Sequence, residues 1–170
     1  MERMLKVLNA LEEEGVIRSP TLGGAMALLF HCAEPILTYD VDVFAYLPNT
    51  MGLIDLTPVY QALQKRGYAP KDEHMMIEGI PVQFLPADST PLVEEGVKEA
   101  VVKHFQGIPV KVMGMEHLLA IMLETNRPKD RAKIGILLEG RAEYNKKKFM
   151  KILTRHKLNK RWEAIIESEK

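Results

Sequence analysis

Two acids separated by one valine, in Thr38-Tyr39-Asp40-Val41-Asp42-Val43-Phe44, constrain this chain more than any other stretch. In an extended strand alternate side chains share a face, so Asp40 and Asp42 project together while Val41 and Val43 turn toward a core. Such a strand must border a polar cleft, because an ionised carboxylate is costly to bury alone. Two neighbouring carboxylates also repel unless a proton or a cation lies between them. At neutral pH the matching cation is a hard divalent ion, Mg²⁺ or Mn²⁺, which holds phosphate oxygens as readily as carboxylates. The pair predicts metal-assisted phosphoryl or nucleotidyl transfer. The alternative is a solvated strand end that binds nothing.

Gly23-Gly24 stands upstream, between an extended segment (Pro20-Thr21-Leu22) and the apolar run Ala25-Met26-Ala27-Leu28-Leu29-Phe30. That run predicts a buried helix ended by Glu34-Pro35. Glycines at such a junction let the backbone approach a ligand with no β-carbon in the way, and a helix start offers N–H groups to phosphate. A glycine pair alone is more often a tight turn. Here Asp40 follows Gly24 by sixteen residues, enough for a helix and a turn to return the chain to the same end of a sheet.

The remaining pattern is strands with interleaved helices, then helices only. Leu5, Leu8 and Leu11 predict a first amphipathic helix closed by Gly15, and residues 40–47 predict the strand bearing the acids. Asn49 to Gly52 reads as a loop, and Leu56 to Arg66 as a helix capped by Gly67. Two hairpins are expected, His74–Glu78 with Ile80–Leu85 and Val101–Phe105 with Pro109–Met113, on either side of a helix from Pro91. From Met115 onward four helices follow: 115–125, 128–139, 143–155 and 158–168. The expected class is α+β, a mixed sheet flanked by helices with a helical C-terminal region. Residues 1–114 form the α/β core in this reading, and 115–170 pack on it.

The Gly-Gly and Asp-x-Asp elements together, Leu22-Gly23-Gly24-Ala25 and Thr38-Tyr39-Asp40-Val41-Asp42-Val43-Phe44, resemble the nucleotidyltransferase superfamily typified by DNA polymerase beta. Within it the chain is most similar to small prokaryotic members of the abortive-infection and toxin–antitoxin type, whose helical tail carries a Lys-Asp element like Arg127-Pro128-Lys129-Asp130-Arg131. The likeness runs from about residue 18 to 165. It implies Asp40 and Asp42 as catalytic acids and ligands of Mg²⁺ or Mn²⁺. It implies Gly23, Gly24, Thr38, Lys129 and Lys133 around an NTP such as ATP. The implied reaction moves a nucleoside monophosphate to a hydroxyl acceptor on RNA or protein.

Two departures accompany the resemblance. The superfamily places a third carboxylate on a later strand; the corresponding residue in Ile80-Pro81-Val82-Gln83-Phe84-Leu85 is Gln83, whose amide carries no charge and takes no proton at neutral pH. Many members also carry an arginine shortly before the acid pair, where this chain has Pro35-Ile36-Leu37-Thr38. Asp88 and Glu78 are the candidate substitutes for the missing acid. A degenerate module that binds a nucleotide or a partner without chemistry is the alternative function, and an interaction protein using a basic tail is a third.

That tail lies between Arg141 and Arg161, with nine bases against one acid in a chain whose formal net charge is zero. It suits an RNA or protein acceptor, or forms a solvated helical face. Cys32 is the only cysteine, so neither a disulfide framework nor a thiolate metal site is expected. The five histidines show no ligand spacing in sequence, and His31 reads as a packed helix-end residue. No apolar run has membrane-spanning length and the start of the chain is charged rather than signal-like, so residence in the cytoplasm is expected.

Overall fold

In the computed structural model, residues 1–32, 36–50, 52–140 and 142–168 are described. A mixed seven-stranded sheet forms the centre. Helix α1 (Glu2–Glu13) buries Met4, Leu5, Leu8 and Leu11, the stripe expected of an amphipathic helix. Its Glu12 accepts hydrogen bonds from the Ser19 backbone N–H and from Lys111, both at 2.9 Å, which ties the helix to the strand after it. That strand is β1 (Arg18–Leu22), followed by the short helix α2 (Gly24–Leu28) and by β2 (Val41–Tyr46).

A two-stranded ribbon, β3 (Asn49–Thr50) with β4 (Leu53–Ile54), occupies the stretch expected to be a loop. Helix α3 (Thr57–Gln64) leads into β5 (Ala69–Lys71), an edge strand too short to leave a periodic signal. Strands β6 (His74–Ile77) and β7 (Ile80–Pro86) form the first hairpin. Its turn residues Glu78 and Gly79 have φ of 52° and 78°, the left-handed pair that matches strand twist in a two-residue loop. Helix α4 (Pro91–Lys98) is capped by Thr90, which accepts from the Val93 N–H at 3.2 Å. The second hairpin pairs β8 (Val101–Phe105) with β9 (Ile108–Val112).

Strand order across the sheet is β5-β6-β7-β2-β1-β9-β8. Strands β2 and β7 run parallel, as do β1 and β9, and the other pairs are antiparallel. On β2 burial alternates strictly: Val41, Val43 and Ala45 enter the core, while Asp42, Phe44 and Tyr46 lie on the other face. Four helices complete the chain: α5 (Met115–Thr125), α6 (Pro128–Glu139), α7 (Lys146–Arg155) and α8 (Asn159–Ser168). Helix α5 is apolar nearly all round because it packs against α2, α4, α6 and α7 at once. Phe149 sits edge-on between Tyr144 (5.4 Å) and Trp162 (5.0 Å), joining α7 to α8. No helix among the described residues is long and apolar enough to cross a membrane.

The mixed sheet with its flanking helices matches the expected class. The helix after the glycines is shorter than expected, since Leu28 is its last residue. The expected stop at Glu34-Pro35 lies outside the described residues, as does Arg141.

Candidate functional site

The floor of the principal cleft comes from the centre of the sheet. The parallel register sets Asp42 beside Gln83 and Phe44 beside Leu85, and all four side chains line one cleft of about 400 Å³. Asp40 precedes β2 and borders the same cleft. The Thr38 hydroxyl donates to the Asp40 carbonyl at 2.9 Å and lies 3.3 Å from its Oδ1. The Nε2 atom of His74, on β6, lies 3.7 Å from Asp40 Oδ2.

Both glycines are dictated by what covers them. A β-carbon on Gly23 would overlap the edge of the Phe44 ring. A β-carbon on Gly24 would overlap Oδ2 of Asp42 and lie 3.0 Å from its carboxyl carbon, and Gly24 has φ of +55°. Close approach and a left-handed backbone both exclude other residues there. The Gly23 N–H donates to the Asp42 carbonyl at 2.9 Å, fixing the junction to β2.

The roof is the corner between α5 and α6. Asn126 adopts a left-handed conformation (φ 53°) that ends α5, and Pro128 opens α6. Arg127, Lys129 and Lys133 thereby border the cleft. Asp130 is buried and accepts from Arg127 Nε at 2.6 Å and from the Thr125 hydroxyl at 2.7 Å. Burial pushes the Asp130 carboxyl up, but the Arg127 and Thr125 hydrogen bonds outweigh it and hold the group below the usual carboxylate range. Asp42 shows the opposite balance. Burial and then the Asp40 charge push its carboxyl up, against the weaker pull of Lys133, Lys129 and Arg127.

Of the residues singled out in sequence, Asp40, Asp42, Gly24, Lys129 and Lys133 border this one cleft. Gly23 lies behind it under Phe44. Thr38 borders an adjoining cleft that shares Asp40, Lys129 and Lys133 with the first. Helix α2 has only five residues, too few for the macrodipole that a longer helix would aim at phosphate. Neither substitute acid reaches the cleft: Glu78 accepts from Tyr68 at 2.8 Å at a hairpin turn, and Asp88 is exposed outside the lining. Arg127, Asp130 and Glu124 join the cleft, and His74 the adjoining one, through folding; of these only Arg127 and Asp130 had left a mark in the sequence, in the element Arg127-Pro128-Lys129-Asp130-Arg131.

Among the described residues, none of the cleft lining comes from the basic segment 141–161. Lys148 pairs with Glu99 at 2.8 Å, Arg155 with Glu95 at 2.5 Å, and Arg161 donates to the Leu123 carbonyl at 2.9 Å. Glu95, Glu99 and His117 have ligand atoms within 4.8 Å of one another, a spacing that suits a metal ion. These residues are 22 positions apart at most, so no sequence spacing announced them. They lie outside the cleft lining, and Glu95 is already held by His117 (3.3 Å), His156 (2.9 Å) and Arg155. The His31 Nε2–H donates to the Met113 carbonyl at 2.8 Å, a packed helix-end role.

For a divalent cation in the principal cleft, the donors fit in kind. Two adjacent carboxylates, one raised by burial and by its neighbour, form a hard-oxygen set whose repulsion a cation relieves, and Gln83 adds a neutral amide oxygen.

No family model matches this chain, and no curated protein matches it. Among solved structures it is similar to an antigenic nucleotidyltransferase-like protein from Paracoccidioides brasiliensis, at 14% identity with a TM-score of 0.55. The match covers 82% of this chain and 76% of that one. The fold of this protein is nucleotidyltransferase-like.

Proposed function

We propose that this protein transfers a nucleoside monophosphate from an NTP to a hydroxyl acceptor. The observation that carries this reading is the opposition of charge across one cleft: Asp40 and Asp42 on the floor, Arg127, Lys129 and Lys133 on the roof. A triphosphate fits between them, its oxygens toward the cations and its metal-binding side toward the acids. Asp40 and Asp42 would hold Mg²⁺ or Mn²⁺, which when bound neutralises charge on the transferring phosphoryl group. Gly24 leaves room for the Asp42 carboxylate, and Thr38 fixes Asp40. The acceptor hydroxyl would release its proton to solvent, its oxygen bonding to the α-phosphorus as the bond to the departing pyrophosphate breaks. Lys129 and Lys133 border the adjoining cleft as well, so they neutralise phosphate where donor and acceptor would meet.

A function of the abortive-infection or toxin–antitoxin kind rests on the sequence resemblance alone, and residence in the cytoplasm on the lack of an apolar run of membrane-spanning length among the described residues. A second reading is favoured by Gln83: a module that binds an NTP and transfers nothing, because the residue beside Asp42 takes no proton. Incubation with α-phosphate-labelled NTP and RNA or protein acceptors separates the two. Labelled product that disappears in the Asp40→Ala, Asp42→Ala variant supports transfer. Calorimetric binding of Mg²⁺-NTP with no labelled product supports the module, and labelling unchanged in the double variant refutes the site.

A further inference from the structure

The cleft changes chemistry along its length. Following β2 from Asp40 through Asp42 to Phe44, the floor passes from acid to aromatic at about 3.3 Å per residue. The neighbouring strand repeats the change from Gln83 to Leu85. Lys129 and Lys133 belong to the acidic end, since they also border the adjoining cleft around Asp40. Past Leu85 the chain reaches Ser89 and Thr90 at the start of α4, and these border the cleft together with Glu124 of α5.

Glu124 is a half-buried carboxylate at that end, where Phe44, Leu85, Val93 and Ile121 also line the cleft. Its Oε2 accepts from the Thr90 hydroxyl at 3.1 Å, and Thr90 is itself held as the cap of α4. Its Oε1 accepts no hydrogen bond among the described residues, and no Lys, Arg or His there pairs with it. This sets it apart from Asp130 and Glu95, whose carboxylates are engaged by basic side chains.

We infer that this end is a nucleobase subsite and that Glu124 makes it selective for guanine, a deepening that rests on the NTP reading above. Phe44, Leu85, Val93 and Ile121 offer apolar surface to the faces of a base, and the volume is that of a small-ligand pocket. An ionised carboxylate only accepts hydrogen bonds. Guanine presents two adjacent donors, N1–H and the N2 amino group, which match the two carboxylate oxygens as a bidentate pair. Adenine and cytosine place a ring-nitrogen acceptor beside their amino donor, so one oxygen of Glu124 would face a lone pair. Uracil offers a single N–H between two carbonyls. Discrimination therefore comes from repulsion of the wrong edge as well as attraction of the right one.

The test is calorimetry of the full chain with Mg²⁺ and GTP, ITP, ATP or CTP. GTP is expected to bind roughly ten- to a hundredfold more tightly than ATP or CTP, the range of one good bidentate contact. ITP lacks the N2 donor and is expected to lose about tenfold relative to GTP. In Glu124→Gln the advantage of GTP over ATP and ITP is expected to vanish. Equal affinity for all four nucleotides would overturn the subsite while leaving the NTP reading intact, and so would a GTP preference that survives in Glu124→Gln. Binding of none of them would overturn both. Should Glu124→Gln fail to fold, the comparison of GTP, ITP and ATP on the native chain decides alone.

Discussion

The carboxylate of Asp42 lies against the backbone of Gly24, so closely that a single added carbon on Gly24 would overlap one of its oxygens. Gly24→Ala is accordingly expected to act on both stability and ligand binding. The left-handed backbone and the overlap together should cost about 2–3 kcal/mol in urea denaturation. Displacement of Asp42 should weaken Mn²⁺ binding, followed by electron paramagnetic resonance, at least roughly tenfold. Gly23→Ala pushes instead on the Phe44 ring, and is expected to lower stability with a much smaller effect on the ion.

Asp42→Asn should uncouple those two properties. Burial and Asp40 both work against the charge on Asp42, so removing it relieves the metal-free protein. An increase in stability of about 0.5–1 kcal/mol without metal is expected. The rise in melting temperature that Mn²⁺ confers on the native chain should disappear in the same variant. A loss of stability in the absence of metal would show that the acid is paired rather than repelled.

Gln83→Asp sets a third carboxylate beside Asp42 across the parallel pair. Without a cation the added like charge should lower stability by about 1 kcal/mol, and with Mn²⁺ the affinity should rise. If the rest of the site is competent, labelled transfer product should also increase over the native chain. Tighter ion binding with no change in product would place the defect elsewhere.

The acid limb of stability should belong to Glu95. Burial pushes this carboxyl up, but hydrogen bonds from His156, Arg155 and His117 outweigh it and bring it to about 2, against 4.5 for an ordinary glutamate. A depressed carboxyl stabilises above its unfolded value and loses that contribution as pH falls through the folded one. The loss should therefore run from pH 4.5 down to about 2, amounting to about 2 kcal/mol once screening at half-exposed Arg155 is counted. His117 adds an earlier decline. Burial holds its folded value below 6.5, so the unfolded chain takes up that proton first as pH drops. Urea midpoints measured against pH should show the lower step disappearing in Glu95→Gln.

What could be read in advance was local. The period of Leu5, Leu8 and Leu11, the turn at Glu78-Gly79 and the left-handed Asn126 each act within a few residues, and the elements they delimit lie where expected. The alternation at Asp40-Val41-Asp42-Val43 likewise shows itself in burial of the valines alone. Strand β5 and the ribbon of β3 with β4 escaped because two or three residues carry no period. Arg127 and Glu124 reach the cleft, and His74 reaches Asp40 from the adjoining one, by tertiary packing of elements far apart in sequence, and no spacing rule relates them to Asp42. The shortness of α2 was hidden by an apolar run that continues past Leu28 and so mimics a longer helix.

The pairing of Lys148 and Arg155 with Glu99 and Glu95 has a wider consequence. Read linearly, the chain is a dipole with a cationic block near its end. Folded, three of those bases are engaged, Lys148 with Glu99 at the end of α4, Arg155 with Glu95 within it and Arg161 with a carbonyl of α5, while Lys146, Lys147, Lys151, Lys157 and Lys160 stay exposed. Long-range attraction between the two portions thus favours docking of the last helices over their release, and added salt should loosen this latch before it disturbs the sheet.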